Sequence, residues 1–262
     1  MSKSFFPQDN YITAPDRERR LHRLLLRSRL YYILRFILIV FRYWPQARRG
    51  RFDFDTWQEA SFRVFKAVED CGGRFRITGF ANIQKAEGPV VFIANHMSTM
   101  ETLVLPSLIF PRKKPVFVIK EQLQRVPFFG VFVRRCIAVT RKSPAEDFKQ
   151  VMTHGAAALL KGHSVIVFPQ ATRYPGLDPS KFNTLGIKLA RKNHVPVIPI
   201  AIKSDFWTTG KILKDFGPLD QSKTIHFEFG EPLHIKGTGK QEHQQIISFI
   251  QTRLDQWQEK NE

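Results

Sequence analysis

The 262-residue sequence predicts an α/β protein, in which a mixed, largely parallel β-sheet is flanked by helices. Short runs of β-branched and aromatic residues alternate with helical patterns from residue 56 onward, and this alternation is typical of βαβ units. The first 55 residues differ, because arginines surround the most apolar run of the chain. We therefore predict two parts, a basic and apolar N-terminal helical segment (1–55) and an α/β domain (56–262).

The individual elements follow from apolar spacing and from turn residues. Residues 1–15 are predicted to form a loose terminus. A helix is predicted within 56–73, where apolar residues have helical spacing and Gly72-Gly73 end it. Seven runs predict strands, at 74–80, 90–95, 115–120, 136–141, 164–169, 195–203 and 224–230. Further helices are predicted to begin at Ser143, where Pro144 and Glu146 give a capping pattern, to cover 182–192 and to run from about 240 to 258.

Two prolines, Pro196 and Pro199, interrupt the apolar run at 195–203. Proline lacks the N–H group that a strand donates to its neighbour, so it is normally excluded from central strands. We therefore expect these residues at a strand end or at an edge of the sheet.

The net charge of +18 predicts a polyanionic partner, either nucleic acid or an anionic membrane surface. Residues 1–51 hold twelve Lys or Arg and three acidic residues, a net charge of +9 and half of the total. The same segment contains the run LYYILRFILIVFRYW (30–44). This run is interrupted by Arg35 and is shorter than the roughly 20 apolar residues that span a bilayer. Its flanking arginines and terminal aromatic residues favour a helix lying in the membrane interface.

An anionic membrane surface is therefore the predicted partner, and nucleic acid is not expected, because no recognition motif is present. The basic flank predicts association with the cytoplasmic face of the membrane. A buried core helix beside a solvated basic segment is the alternative. The two cysteines, Cys71 and Cys136, form no CxxC pair and the eight histidines are scattered, so neither a disulfide framework nor a metal site is predicted.

The stretch VVFIANHMSTMETLVLPSLI (90–109) joins a predicted buried strand to a predicted helix through polar residues. Asn95 and His96 end the strand, at the position where open α/β sheets bind ligands, and Glu101 follows five residues after the histidine. In one interpretation, Ser98 and Glu101 form a capping box and His96 is an ordinary loop residue. In the other, Glu101 orients His96 for catalysis. The two are compatible, because a carboxylate accepts several hydrogen bonds.

Polar side chains also follow three other predicted strands. Lys120 and Arg141 each lie at a strand end, and Gln170, Thr172 and Arg173 come directly after the strand at 164–169. The carboxyl ends of strands are where open α/β sheets place ligands and chemistry.

Together these stretches resemble the four ordered sequence blocks of the glycerolipid acyltransferases, which include the lysophosphatidate acyltransferases. Asn95-His96 with Glu101 is similar to the NH-x4-D block, and Pro127, Gly130 and Arg141 to the Gly/Pro-rich second block. FPQATR (168–173) is similar to the FPEGTR block, and Val195 to Pro199 to the V-P-V-x-P block. Three positions depart from the pattern, because Glu101 replaces aspartate, Gln170 replaces glutamate and Ala171 replaces glycine.

The resemblance implies acyl transfer from acyl-CoA or acyl-carrier protein, as donor substrate, to the free hydroxyl of a lysophospholipid, with lysophosphatidate expected first. No cofactor or metal is expected. A histidine suits this chemistry as general base, oriented by a carboxylate, so His96 and Glu101 are the predicted catalytic pair. Arg141, Arg173 and Lys120 are predicted to bind the acceptor phosphate, and Asn95, Gln170 and Thr172 are the other predicted substrate-binding residues.

Two alternatives stay open. Because Gln170 lacks the charge of the usual glutamate, the acceptor could be a different lyso-lipid. The altered acidic positions are also compatible with a basic membrane-binding protein that keeps the fold without catalysis.

Overall fold

The computed structural model describes residues 4–14, 29–170, 172–208, 210 and 217–259. Within these ranges one sheet contains eight strands: β1 (Tyr11–Ile12), β2 (Arg74–Thr78), β3 (Val91–Ala94), β4 (Lys114–Lys120), β5 (Ile137–Val139), β6 (His163–Val167), β7 (Val197–Lys203) and β8 (Thr224–Phe229). Their order is β1-β2-β8-β7-β3-β6-β4-β5. The β1–β2 and β7–β8 pairs are antiparallel and the other five are parallel, which confirms the predicted mixed, largely parallel sheet.

The same ranges contain seven α-helices: α1 (Arg29–Arg48), α2 (Phe54–Asp70), α3 (Phe80–Lys85), α4 (Met100–Ile109), α5 (Pro144–Leu160), α6 (Leu185–Lys192) and α7 (Lys240–Glu259). The cap predicted at Ser143 is confirmed, because its side chain accepts a hydrogen bond from the Glu146 backbone at 3.3 Å. Helix α3 and three short 3₁₀ segments (121–125, 130–133 and 179–181) were not predicted.

The sheet is covered on both faces, as the continuous apolar strands predict. Phe92 and Ile166 point into a core shared with α1, α2 and α4. Val91 and Val165 point to the opposite face, where α5, α6 and α7 pack. All seven predicted strands are present, and no end differs from its predicted position by more than two residues.

Two predictions about the strands are wrong. The described part of the predicted loose terminus is ordered, because Tyr11 and Ile12 pair with β2 and Phe6 is buried. Pro199 lies at neither an end nor an edge, because β7 is hydrogen bonded to β3 on one side and to β8 on the other. The backbone of Val197, two residues earlier, is hydrogen bonded to Leu233 in the segment that leaves β8, and the nitrogen of Pro199 faces the same side. The missing N–H group therefore interrupts no hydrogen bond to β3.

Helix α1 is apolar on two sides. Tyr31, Tyr32, Tyr43 and Ala47 are buried against the domain, whereas a second row of large apolar side chains is exposed: Leu30, Leu34, Ile37, Leu38 and Phe41. No helix in the described ranges is long and apolar enough to cross a membrane. The predicted division at residue 55 stays a prediction, and the basic residues Arg17, Arg19, Arg20, Arg23 and Arg27 lie outside the described residues.

Candidate active site

The carboxyl end of β3 places a histidine and a carboxylate in direct contact. Asn95 and His96 follow the strand, and Glu101 lies in the first turn of α4. The Nδ1 atom of His96 is 2.8 Å from Oε1 of Glu101. Glu101 is fully buried, whereas 15% of the His96 side chain is exposed. A carboxylate hidden from solvent is thus bonded to an imidazole that a substrate can reach.

The Glu101 carboxylate is held by further donors. Its Oε1 accepts hydrogen bonds from the backbone amides of Met97 at 2.6 Å and Ser98 at 2.9 Å. Its Oε2 accepts from the hydroxyls of Ser98 and Ser204, each at 2.7 Å. Glu101 therefore binds the loop amides as a capping carboxylate does and contacts His96 at the same time, so both interpretations of this stretch are compatible with the geometry.

Burial raises the pKa of Glu101, but the hydrogen bonds from His96, Ser204 and Ser98 and the charge of His96 outweigh it, so this pKa lies below its ordinary value. The carboxylate is ionised at neutral pH and can only accept hydrogen bonds. The proton between the two side chains therefore belongs to Nδ1 of His96. A neutral imidazole in this tautomer presents the lone pair of Nε2, which is the arrangement that a general base requires.

An aromatic side chain also holds the His96 ring in place. It stacks on Phe168, with centroids 4.4 Å apart and planes 24° apart, and Phe168 stacks in turn on Phe117. The backbone amide of Tyr174 donates to the carbonyl of His96 at 2.9 Å. The loop after β6 therefore holds both the ring and the backbone of the histidine.

Asn95, a predicted substrate-binding residue, is hydrogen bonded within the sheet. Asn95 is fully buried, and its Nδ2 atom donates to the Ile202 carbonyl at 2.7 Å. Its Oδ1 atom accepts from the Ile202 amide at 2.9 Å. Both ends of the side-chain amide are therefore engaged by β7, and Asn95 joins the end of β3 to the neighbouring strand. Its contact with substrate stays a prediction.

The loop after β6 brings part of the predicted FPQATR stretch to the histidine. Arg173 donates to the hydroxyl of Thr99, directly before α4, so this arginine lies beside the His96 loop. Gln170 is only 3% exposed, and its Oε1 atom has no hydrogen-bond partner among the described residues. Thr172 is exposed, and Ala171 lies outside the described residues.

Lys120 and Arg141 lie at the same edge of the sheet but farther from His96. Lys120 ends β4, two strands from β3, and Arg141 follows β5, three strands away. Strand spacing puts these lateral separations at about 10 and about 14 Å. Arg141 has a positive φ of 59°, and Asp147 binds its backbone amide at 2.7 Å, which presents the exposed side chain at the edge.

Two residues of the site were not predicted from the sequence. Ser204 follows the end of β7 and donates to the Glu101 carboxylate. The only indication of this role in the sequence was a hydroxyl residue directly after an apolar strand. Phe168 was included in a motif without a role, and an isolated aromatic residue at a strand end gives no indication that it stacks on His96.

The sequence of this chain is similar to those of known proteins. A sequence profile described as acyltransferase matches residues 74–203. A 1-acyl-sn-glycerol-3-phosphate acyltransferase from Pseudomonas aeruginosa is 31% identical over 216 residues, which cover 81% of this chain and 77% of that protein. The chain belongs to the acyltransferase family.

One further relative and one solved structure are also similar to this chain. A 1-acyl-sn-glycerol-3-phosphate acyltransferase from Borreliella burgdorferi is 29% identical to this acyltransferase over 138 residues, half of this chain and 52% of that protein. The crystal structure of the 1-acyl-sn-glycerophosphate acyltransferase from Thermotoga maritima has the same fold, with a TM-score of 0.63 and 22% identity over 91% of this chain and 97% of that one.

The matched region of the acyltransferase begins at β2 and ends with β7, so it contains every predicted site residue. This protein is therefore an enzyme, an O-acyltransferase. In the part of the chain that the structure describes, no group of three His, Cys, Asp or Glu side chains could hold a metal ion.

Proposed function

We propose that this acyltransferase transfers a fatty acyl group from an acyl thioester to the free hydroxyl of a lysophospholipid, with lysophosphatidate as acceptor and phosphatidate as product. The relatives from Pseudomonas aeruginosa and Borreliella burgdorferi bear names for this activity. The observation that carries the proposal is the 2.8 Å contact between His96 and the ionised Glu101, because it leaves Nε2 free to accept a proton.

In the proposed mechanism, the acceptor hydroxyl donates its proton to Nε2 of His96 as its oxygen attacks the thioester carbonyl. The imidazolium that forms is stabilised by Glu101, in the role that the buried aspartate has in a serine-protease triad. The tetrahedral intermediate then collapses, the carbon–sulfur bond breaks, and the proton on Nε2 goes to the leaving thiolate. The lipid hydroxyl is itself the nucleophile, so no acyl-enzyme intermediate is needed.

Charged side chains at the same edge would bind the acceptor phosphate. Arg173 is attached to the His96 loop through Thr99, which makes it the first candidate. Lys120 and Arg141 extend the positive edge away from the reaction centre. Charge-assisted hydrogen bonds from arginine to phosphate are both strong and directional, which suits recognition of a small anionic headgroup.

Gln170 supports a second candidate acceptor. Its buried Oε1 atom has no partner in the described residues, and a buried amide oxygen of this kind costs free energy unless it is hydrogen bonded. A hydroxyl of the substrate would satisfy it. A lyso-lipid with a larger hydroxylated headgroup is therefore the alternative to lysophosphatidate.

We further propose that the enzyme works at an anionic membrane surface on the cytoplasmic side. The exposed apolar row of α1 and the net charge of +18 support this, because such a helix binds through apolar burial and attraction to anionic lipids. Binding to anionic liposomes at moderate salt is expected, whereas duplex DNA should not bind. The reverse result would favour a nucleic-acid partner.

The test of the activity is acyl transfer by the purified protein in mixed micelles, with His96→Ala as the comparison. Lysophosphatidate and a panel of other lyso-lipids would each be offered with acyl-CoA and with acyl-carrier protein as donors. Loss of a general base is expected to reduce turnover by about 10²–10⁴-fold. The preferred acceptor would show what Gln170 selects.

Transfer that persists in His96→Ala would contradict the assignment of the base. Absence of transfer from either donor to any acceptor, by folded protein that still binds liposomes, would favour a catalytically silent membrane-binding protein.

A further inference from the structure

The loop that follows β4 carries three exposed large apolar side chains, Leu123, Val126 and Phe128. They are not scattered, because the Phe128 ring lies 5.6 Å from the ring of Phe41 and 5.5 Å from that of Trp44. Phe41 belongs to the exposed row of α1. The loop and the helix, distant in sequence, therefore form one apolar surface.

The backbone conformation of this loop holds the Phe128 ring at the surface. Phe128 has a φ of 62°, which is a rare conformation for a bulky residue, and the Phe129 amide closes a tight turn on the Pro127 carbonyl at 2.7 Å. Gly130 then folds back, and a Cβ atom there would lie 2.0 Å from the Gln124 carbonyl oxygen. A strained conformation is kept here although the ring it presents is 51% exposed.

The charges around this surface are mainly positive. Arg125 extends from the loop with 74% of its side chain exposed, although Glu121 pairs with it. Arg48 is exposed and lies over the ring of Trp44, 5.2 Å from its centroid. An apolar surface with arginines at its border fits an anionic bilayer, in which the rings enter the headgroup layer and the guanidinium groups contact lipid phosphates.

We propose that the 121–129 loop is a second membrane contact, which inserts Phe128 beside α1 and turns the active-site edge of the sheet toward the bilayer. The inference rests on the proposed function, because the loop leaves β4 at Lys120, a predicted ligand of the acceptor phosphate. A lipid acceptor could then enter the site from the membrane without crossing water. The occupant of the surface is the anionic bilayer itself.

The first test compares binding of Phe128→Asn and wild type to vesicles of phosphatidylcholine and phosphatidylglycerol in equal parts. Asparagine tolerates positive φ, so the variant should fold normally. Loss of the half-exposed ring is expected to weaken binding about tenfold. Phe148→Asn is the matched control, because Phe148 is also exposed but lies on α5, which packs on the opposite face of the sheet.

The second measurement locates the loop directly. A fluorophore on Phe128→Cys can be attached selectively, because Cys71 and Cys136 are buried. Nitroxide-labelled lipids should quench the fluorophore at position 128 and leave the same fluorophore at position 148 unaffected. Lack of quenching at position 128 in vesicle-bound protein, or wild-type binding by Phe128→Asn, would overturn the proposal.

Activity separates this inference from the proposed function. Phe128→Asn should lose transfer to a long-chain acceptor in vesicles and keep transfer to a short-chain, water-soluble lysophosphatidate. The vesicle-binding assays contain no donor or acceptor, so they give a result even if the acceptor has been assigned incorrectly. Equal loss on both acceptors would place Phe128 in the catalytic machinery and contradict a docking role.

Discussion

The end of β3 and the ends of β4 and β5 lie at the same edge of the sheet, but their side chains differ in hydrogen bonding and in exposure to solvent. At β3, His96 and Glu101 are bonded to each other, and backbone amides, two hydroxyls and an aromatic ring surround them. At β4 and β5, Lys120 is partly exposed and Arg141 is exposed. The half of the edge at β3 is held by these contacts and is largely desolvated before substrate arrives. The half at β4 and β5 is solvated.

Under the proposed function, this difference would separate substrate binding from chemistry. Preorganised groups aimed at the reacting atoms act mainly in the transition state, so changes there should lower kcat. Solvated cations bind a phosphate equally in the ground state and the transition state, so changes there should raise KM. Substitutions in the two halves can therefore test whether kcat and KM respond separately.

Glu101→Gln is expected to have the largest effect. Glutamine keeps the length of the side chain and can still cap the loop amides, but it removes the charge that we propose stabilises the His96 imidazolium. Neutralising the acid of a comparable triad lowers kcat by about 10⁴. Near-normal thermal unfolding with kcat reduced on that scale is the expected result. Turnover close to wild type would mean that Glu101 is only a cap.

Ser204→Ala tests a positioning residue of the same half. The variant removes one hydroxyl from a buried carboxylate, and such hydrogen bonds contribute about 1.5–3 kcal/mol, so a loss of kcat of about 10–100-fold is expected with KM unchanged. Ser204→Thr keeps a hydroxyl and should restore most of the activity. A loss that threonine does not rescue would indicate packing instead of hydrogen bonding.

The same variant has a pH signature. The hydroxyl of Ser204 helps to hold the pKa of Glu101 below its ordinary value, so the ionised carboxylate stabilises the fold above the unfolded pKa and this stability is lost as pH falls through the folded pKa. Without Ser204 the folded pKa rises, and acid unfolding should move to higher pH. An unchanged midpoint in circular dichroism would argue against the contact.

The contrast also explains what could be predicted from the sequence. Apolar runs and turn residues predicted the strands, because their periodicity is local. The His96–Glu101 pair was predicted because both residues lie within one strand–helix connection. Ser204 was missed, because it meets Glu101 only when β7 pairs with β3, a contact between residues 103 positions apart. The bonds of Asn95 could not be predicted for the same reason, since its partner, Ile202, belongs to that distant strand.

Arg141→Gln should have the smallest effect of these variants, and it tests the solvated half of the edge. The exposed guanidinium is about three strand spacings from His96, so it can contact a phosphate headgroup but not the reacting hydroxyl. KM for lysophosphatidate is expected to rise about tenfold with kcat unchanged, and the difference should shrink at high salt. An acceptor without a phosphate should show no difference between Arg141→Gln and wild type. A fall in kcat instead would mean that the cations of β4 and β5 act in the transition state, so that the two halves of the edge are one catalytic unit.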